Sequence, residues 1–166
     1  MAAARPVETE IAKFIAKYTP ELAKELRAAR ARMQARVPRG YEMVYDNYNA
    51  LVFGFSPTEK PSDALLSLAA MPQWVTLCFI QGVHLKDPKK LLRGEGNQVR
   101  SVRLMSGAGD LDNKDIRALI DQALGAHRAA LAAAPERTTT IRSVSEKQRP
   151  RRPVVKAAAK RRAVRA

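Results

Sequence analysis

The stretch ALLSLAAMPQWVTLCFIQGV, Ala64 to Val83, is the most apolar window of the chain, and it constrains the fold more than any other segment. Its length approaches that of a membrane span. Pro72 and Gln73 break it at the middle, however, and proline can neither continue a helix nor donate a ladder hydrogen bond. Thr76, Cys78 and Phe79 add β-favouring residues. The window therefore predicts two buried strands joined by a tight turn, and no membrane partner is expected. The second half, WVTLCFIQ, is apolar on both faces, with Val75, Leu77 and Phe79 on one side and Trp74, Cys78 and Ile80 on the other. That pattern marks a central strand.

What surrounds this hairpin decides the fold class. Val7, Ile11, Phe14, Ile15 and Tyr18 recur at helical spacing. Thr19-Pro20 reads as an N-cap followed by proline at the first helical position. A second helix follows, with Leu22, Leu26, Ala29, Met33 and Val37 on one stripe and Arg27, Arg30, Arg32 and Arg36 on its outer surface. The period then becomes alternating. YEMVYD sets Tyr41, Met43 and Tyr45 on one side of a strand, Asp46-Asn47-Tyr48-Asn49 is turn chemistry, and ALVFGF returns. VRSVRLM supplies a fifth strand. A last helix is expected from Asp112, as N-cap with Asp115 three residues on, to Pro135, with His127 on its apolar stripe. Strands flanked by helices without βαβ alternation predict an α+β fold: about five strands, mainly antiparallel, packed with two N-terminal helices and one C-terminal helix.

Charge divides the chain at residue 135. The net charge is +14, from 30 Lys and Arg against 16 Asp and Glu. From Pro135 to Ala166 eleven basic residues face only Glu136 and Glu146. RPRRPVVKAAAKRRAVRA has no aromatic residue and one sign of charge, so it cannot bury enough apolar surface to offset ordering. The expected organisation is a domain over residues 5–134 and a disordered polybasic tail over 135–166. Such a tail suits non-specific, salt-sensitive binding to nucleic acid through phosphates, by Arg149, Arg151, Arg152, Lys156, Lys160, Arg161, Arg162 and Arg165. It has nothing with which to read bases, and no large apolar anchors for a membrane surface. A solubilising role is the alternative. Removal of Arg149 to Ala166 is expected to leave folding unchanged.

The segment GVHLKDPKKLLRGEGNQVRSVRL, Gly82 to Leu104, raises a second question. Lys89, Lys90, Arg93, Arg100 and Arg103 around Gly94 and Gly96 could cradle an anion. No Walker A or dinucleotide-binding fingerprint is present, and a strand rather than a helix follows, so the loop lacks the helix N-terminus that holds phosphate. The structural alternative is that the glycines permit positive φ where the connection enters the strand. This segment, with WVTLCFIQG and IAKFIAKYTPELAKELRAARARM, resembles the YdhG-like family of small cytosolic domains over roughly Val7 to Leu131. The resemblance implies helices on an antiparallel sheet and no established catalytic role. One branch of that family is described as frataxin-like iron chaperones. The acids that would serve iron here are Asp110, Asp112 and Asp115 in DLDNKDIRALID, which also read as helix capping and solvated charge.

No reaction class follows from the remaining residues. The single Cys78 forms no intramolecular disulfide and fits a reducing cytoplasm. MAAARPVETE has no apolar core of a secretory signal. His84 and His127 are the only histidines, and no serine has a nucleophile-elbow context. If the faces carrying Tyr41 and Tyr45 and carrying Trp74 and Cys78 coincide, an aromatic pocket would form near Arg100 or Arg103. Ordinary core or a homodimer interface would use the same residues. The chain thus reads as a non-enzymatic binding domain, with an iron-binding accessory protein and a small-ligand protein or enzyme as the rival classes.

Overall fold

A computed structural model describes residues 4–154. Helix α1 spans Ala4–Ile15 and α2 spans Pro20–Arg36. The Thr19 hydroxyl accepts a hydrogen bond from the Leu22 amide at 3.2 Å, and Pro20 opens α2 where no N–H is needed. Both helices bury one stripe, including Ile11, Phe14, Leu26 and Met33.

Strands β1 (Tyr41–Asp46), β2 (Leu51–Ser56), β3 (Leu66–Ala70), β4 (Val75–Phe79) and β5 (Arg100–Leu104) form an antiparallel meander. Met71 and Trp74 close the β3–β4 turn around Pro72 and Gln73, with the Met71 amide donating to the Trp74 carbonyl at 2.9 Å. The apolar window of the sequence is therefore a hairpin. Strand alternation sends Phe53, Phe55, Leu66, Leu68, Leu77 and Phe79 into one core with the helices. Tyr18 ties that core to the sheet: its hydroxyl donates to the Ala70 carbonyl at 2.7 Å and accepts from the Leu51 amide at 3.1 Å.

Four expectations need correction. The fold is α+β, but its sheet has six strands and is mixed, in the order β5-β4-β3-β2-β1-β6. Strand β6, Thr138–Val144, pairs parallel to β1. It lies beyond the expected domain end at residue 134. Its TTTIRSV sequence is polar because an edge strand buries little, so hydrophobicity could not reveal it. The third helix is two: α3 (Lys114–Gly125) and α4 (Arg128–Ala133), broken at Gly125-Ala126-His127. The N-cap of α3 is Asn113, not Asp112. The Asn113 side-chain oxygen accepts from the Asp115 and Ile116 amides at 2.9 and 3.3 Å.

The helices α3 and α4 carry the chain from the β5 edge to the β6 edge on the same side as α1 and α2. Among the described residues no helix covers the other sheet face. It presents Tyr41, Met43, Tyr45, Gly54, Ser67, Cys78 and Arg103 by alternation. Among the described residues no helix is long and apolar enough to cross a membrane.

Candidate nucleic-acid interface

In YEMVYD the inward positions belong to Glu42, Val44 and Asp46, which pair with Phe55, Phe53 and Leu51 on the core face. Both carboxylates have no solvent exposure, so each must have charged partners. Arg30 reaches Glu42 with Nε and Nη2 at 2.9 Å, and reaches Glu8 at 2.8 and 2.9 Å. Gln34 and Thr139 also donate to Glu42, at 3.0 and 2.8 Å. Arg30 is thus a buried clamp joining α1, α2 and β1, not part of a solvated basic face. Its hydrogen bond, outweighing burial, holds the Glu8 carboxyl below its ordinary value.

Asp46 organises the other end of β1. Lys17 donates to it at 2.6 Å and Arg151 at 2.8 Å. Burial pushes the Asp46 carboxyl up, but hydrogen bonds from Lys17, Gln148 and Arg151 outweigh it and hold the carboxyl below its ordinary range. Arg151 also donates to the Asn47 carbonyl at 2.5 Å, and its side chain is 4% exposed. Arg151 was expected to contact phosphate. The structure instead buries it against Asp46, where it fixes the chain after β6.

That fixed chain is a short arm. The Ser145 amide donates to the Asp46 carbonyl at 2.9 Å and the Arg149 amide to the Tyr48 carbonyl at 2.8 Å. Gln148 donates to the Asp46 and Ser145 carbonyls and accepts from Lys17. With Arg151 anchored, its neighbours face outward. Arg149 is exposed and lies 5.7 Å from the centre of the half-exposed Tyr48 ring. Arg152 is exposed, with Nε 3.3 Å from the Lys17 carbonyl. The expected phosphate contacts Lys156, Lys160, Arg161, Arg162 and Arg165 lie outside the described residues.

The arm and the β3–β4 turn enclose a groove of ≈ 530 Å³, with Trp74 in its wall and Arg149 and Arg152 at its side. Arg103, opposite Thr76 on β5, lays its guanidinium 4.3 Å from the centre of the Trp74 ring. Tyr41 and Tyr45 share the helix-free face with Cys78, but β2 and β3 separate β1 from β4. The structure therefore does not bring Tyr41 and Tyr45 together with Trp74 in one pocket. Tyr45 instead packs on Met43, with its hydroxyl 3.7 Å from the sulfur. Cys78 is partly covered, and burial pushes its thiol up against the opposing hydrogen bond of Ser67.

The Gly82–Leu104 connection is built by its own contacts. The Asp87 carboxylate accepts from the Leu91 and Leu92 amides at 2.9 and 2.8 Å, and Lys90 takes φ 54°. Arg93 pairs with Ser101 by two backbone hydrogen bonds, and Gly94 takes φ 131° immediately after. Arg100 turns back onto the Gly96 and Val99 carbonyls at 2.6 and 2.8 Å. Lys89, Lys90 and Arg93 remain exposed on this connection, whereas Arg103 belongs to the Trp74 surface.

The acids near α3 are dispersed among separate partners. Asp110 accepts from the Ser106 amide, Asp112 pairs with Arg32 at 3.0 Å, and Asp121 pairs with Arg36. Among the described residues no group of three or more His, Cys, Asp or Glu stands close enough to hold a metal ion. His84 and His127 are both exposed and line one small cavity beside α3.

Sequence reasoning missed Asp46, Lys17 and Tyr48 as organisers of the arm, and Asn49, Met71 and Gln73 as groove residues. The available signal was the i, i+4 spacing of Glu42 and Asp46 within one strand, which puts two acids on a single face. Comparison with known proteins gives no match to a family model, a curated protein or a solved structure. The YdhG-like resemblance accordingly rests on the quoted segments alone.

Proposed function

We propose that this chain is a non-enzymatic cytoplasmic binding domain that engages nucleic acid through its C-terminal basic arm. The observation that carries the reading is the Arg151–Asp46 clasp. It fixes the root of the basic segment to the fold and leaves Arg149 and Arg152 exposed on either side of the anchor. Five further Lys and Arg follow between residues 155 and 166. Cations held at a defined place on a positively charged body favour phosphate contact and counterion release. The iron-chaperone reading draws no comparable support, because Asp112 is paired with Arg32 and Asp110 is bonded to a backbone amide.

The clasp changes which truncation is informative. Cutting at Arg149 removes Arg151 and leaves the buried Asp46 carboxylate with Lys17 as its one cation, and breaking a buried ion pair from one side costs about 3–5 kcal/mol. The test therefore uses a chain ending at Val154 and, separately, the double variant R149A/R152A. Fluorescence anisotropy with duplex DNA at low salt should show weaker binding for both, with unchanged circular dichroism. Wild-type affinity in both variants would remove the arm from the interface.

A further inference from the structure

We infer that the groove between the β3–β4 turn and the arm receives an unpaired base, so that the nucleic acid preferred here is single-stranded. This inference rests on the arm being a nucleic-acid interface and names the form of partner that it selects. Arg149 and Arg152 line the groove, and no acidic side chain does. The adjoining groove that shares Trp74 differs, because Glu21 and Glu25 line it. Charge complementarity thus distinguishes the two hollows that meet at this aromatic residue.

The wall chemistry suits a base better than a bare phosphate. Trp74 supplies a π-face, and bases of any identity stack on aromatic rings. Met71 adds a polarizable apolar surface. Asn49 and Gln73 also line the groove, and within the described residues neither side-chain amide makes a hydrogen bond. They can donate to and accept from a base edge without breaking an existing contact. Pro72, Pro150 and Pro153 give the walls fixed backbone angles, which lowers the ordering cost of binding. A volume of ≈ 530 Å³ falls within the range of about 300–1,000 Å³ for small-molecule sites. A duplex buries its bases in the stack and offers the groove none.

Trp74 is the sole tryptophan, so its fluorescence reports this site directly. Full-length protein is titrated with oligothymidylate of roughly 4–16 nucleotides and with a duplex of equal length, reading both anisotropy and tryptophan emission. The inference predicts that the single strand quenches Trp74 and the duplex does not. Trp74→Leu should weaken single-strand binding by roughly 5- to 150-fold and leave duplex binding unchanged. N49A/Q73A, which leaves the ring in place, should weaken single-strand binding alone. Single-strand binding with unaltered emission, or equal losses for both nucleic acids, would overturn the inference while the nucleic-acid reading stands. Absence of binding to either would overturn both. Equal quenching by poly-glutamate would replace the base with a generic acidic polymer and also overturn it.

Discussion

Asp46 is buried on a core face that it shares with Glu42 and apolar side chains, and its charge persists because Lys17 and Arg151 meet it there. Its carboxyl sits below the ordinary value of 3.8. A depressed folded-state value adds stability that is complete above the unfolded value and is lost as pH falls through the folded one. Stability should therefore decline on the acid side of about pH 4, with Glu8 contributing in the same direction. Asp46→Asn should flatten that part of the profile and lower stability at neutral pH by about 3–5 kcal/mol. Urea melts at a series of pH values read both effects. An unaltered acid limb in the variant would show that Asp46 does not link protons to folding. The sequence displayed Asp46 and Glu42 in plain alternation. Their burial was not legible there, because the cations that compensate them lie 12 to 105 positions away.

Among the elements, β6 depends most on contacts distant in sequence. Gly40, at φ 103°, sits where the chain enters β1 and meets the start of β6. Its amide donates to the Pro135 carbonyl and its carbonyl accepts from the Thr138 amide. A Cβ there would stand 2.4 Å from the Ser56 carbonyl oxygen. Gly40→Ala combines this clash with a left-handed backbone and should cost at least about 1–3 kcal/mol. Thermal melting measures the loss; a wild-type midpoint would mean that the junction can shift without cost. Strands β1 to β5 were legible because period-2 patterning and turn residues coincide in each. Strand β6 was not, because its stability comes from pairing with β1 rather than from its own apolar content. The helix break at Gly125 was equally hidden, since Leu119, Ile120, Leu124 and Leu131 keep helical spacing across it.

At the scale of the molecule, the described helices cover one sheet face, and the arm is anchored at the end of β1. The positive charge of the C-terminal region thereby acquires a fixed origin beside Trp74 and Tyr48. Composition alone made the basic segment visible, but not where it begins, because Arg151 looks like its neighbours until Asp46 is placed beside it. The central claim, that this anchored charge binds nucleic acid, is tested most directly by salt dependence. The logarithm of the duplex-binding constant against the logarithm of salt concentration should be linear, with a slope near −0.9 for each phosphate neutralised. If the five cations of residues 155–166 all contact phosphate, the chain ending at Val154 should have a slope shallower by roughly 4–5. Equal slopes for the two chains, or binding indifferent to salt, would contradict the account.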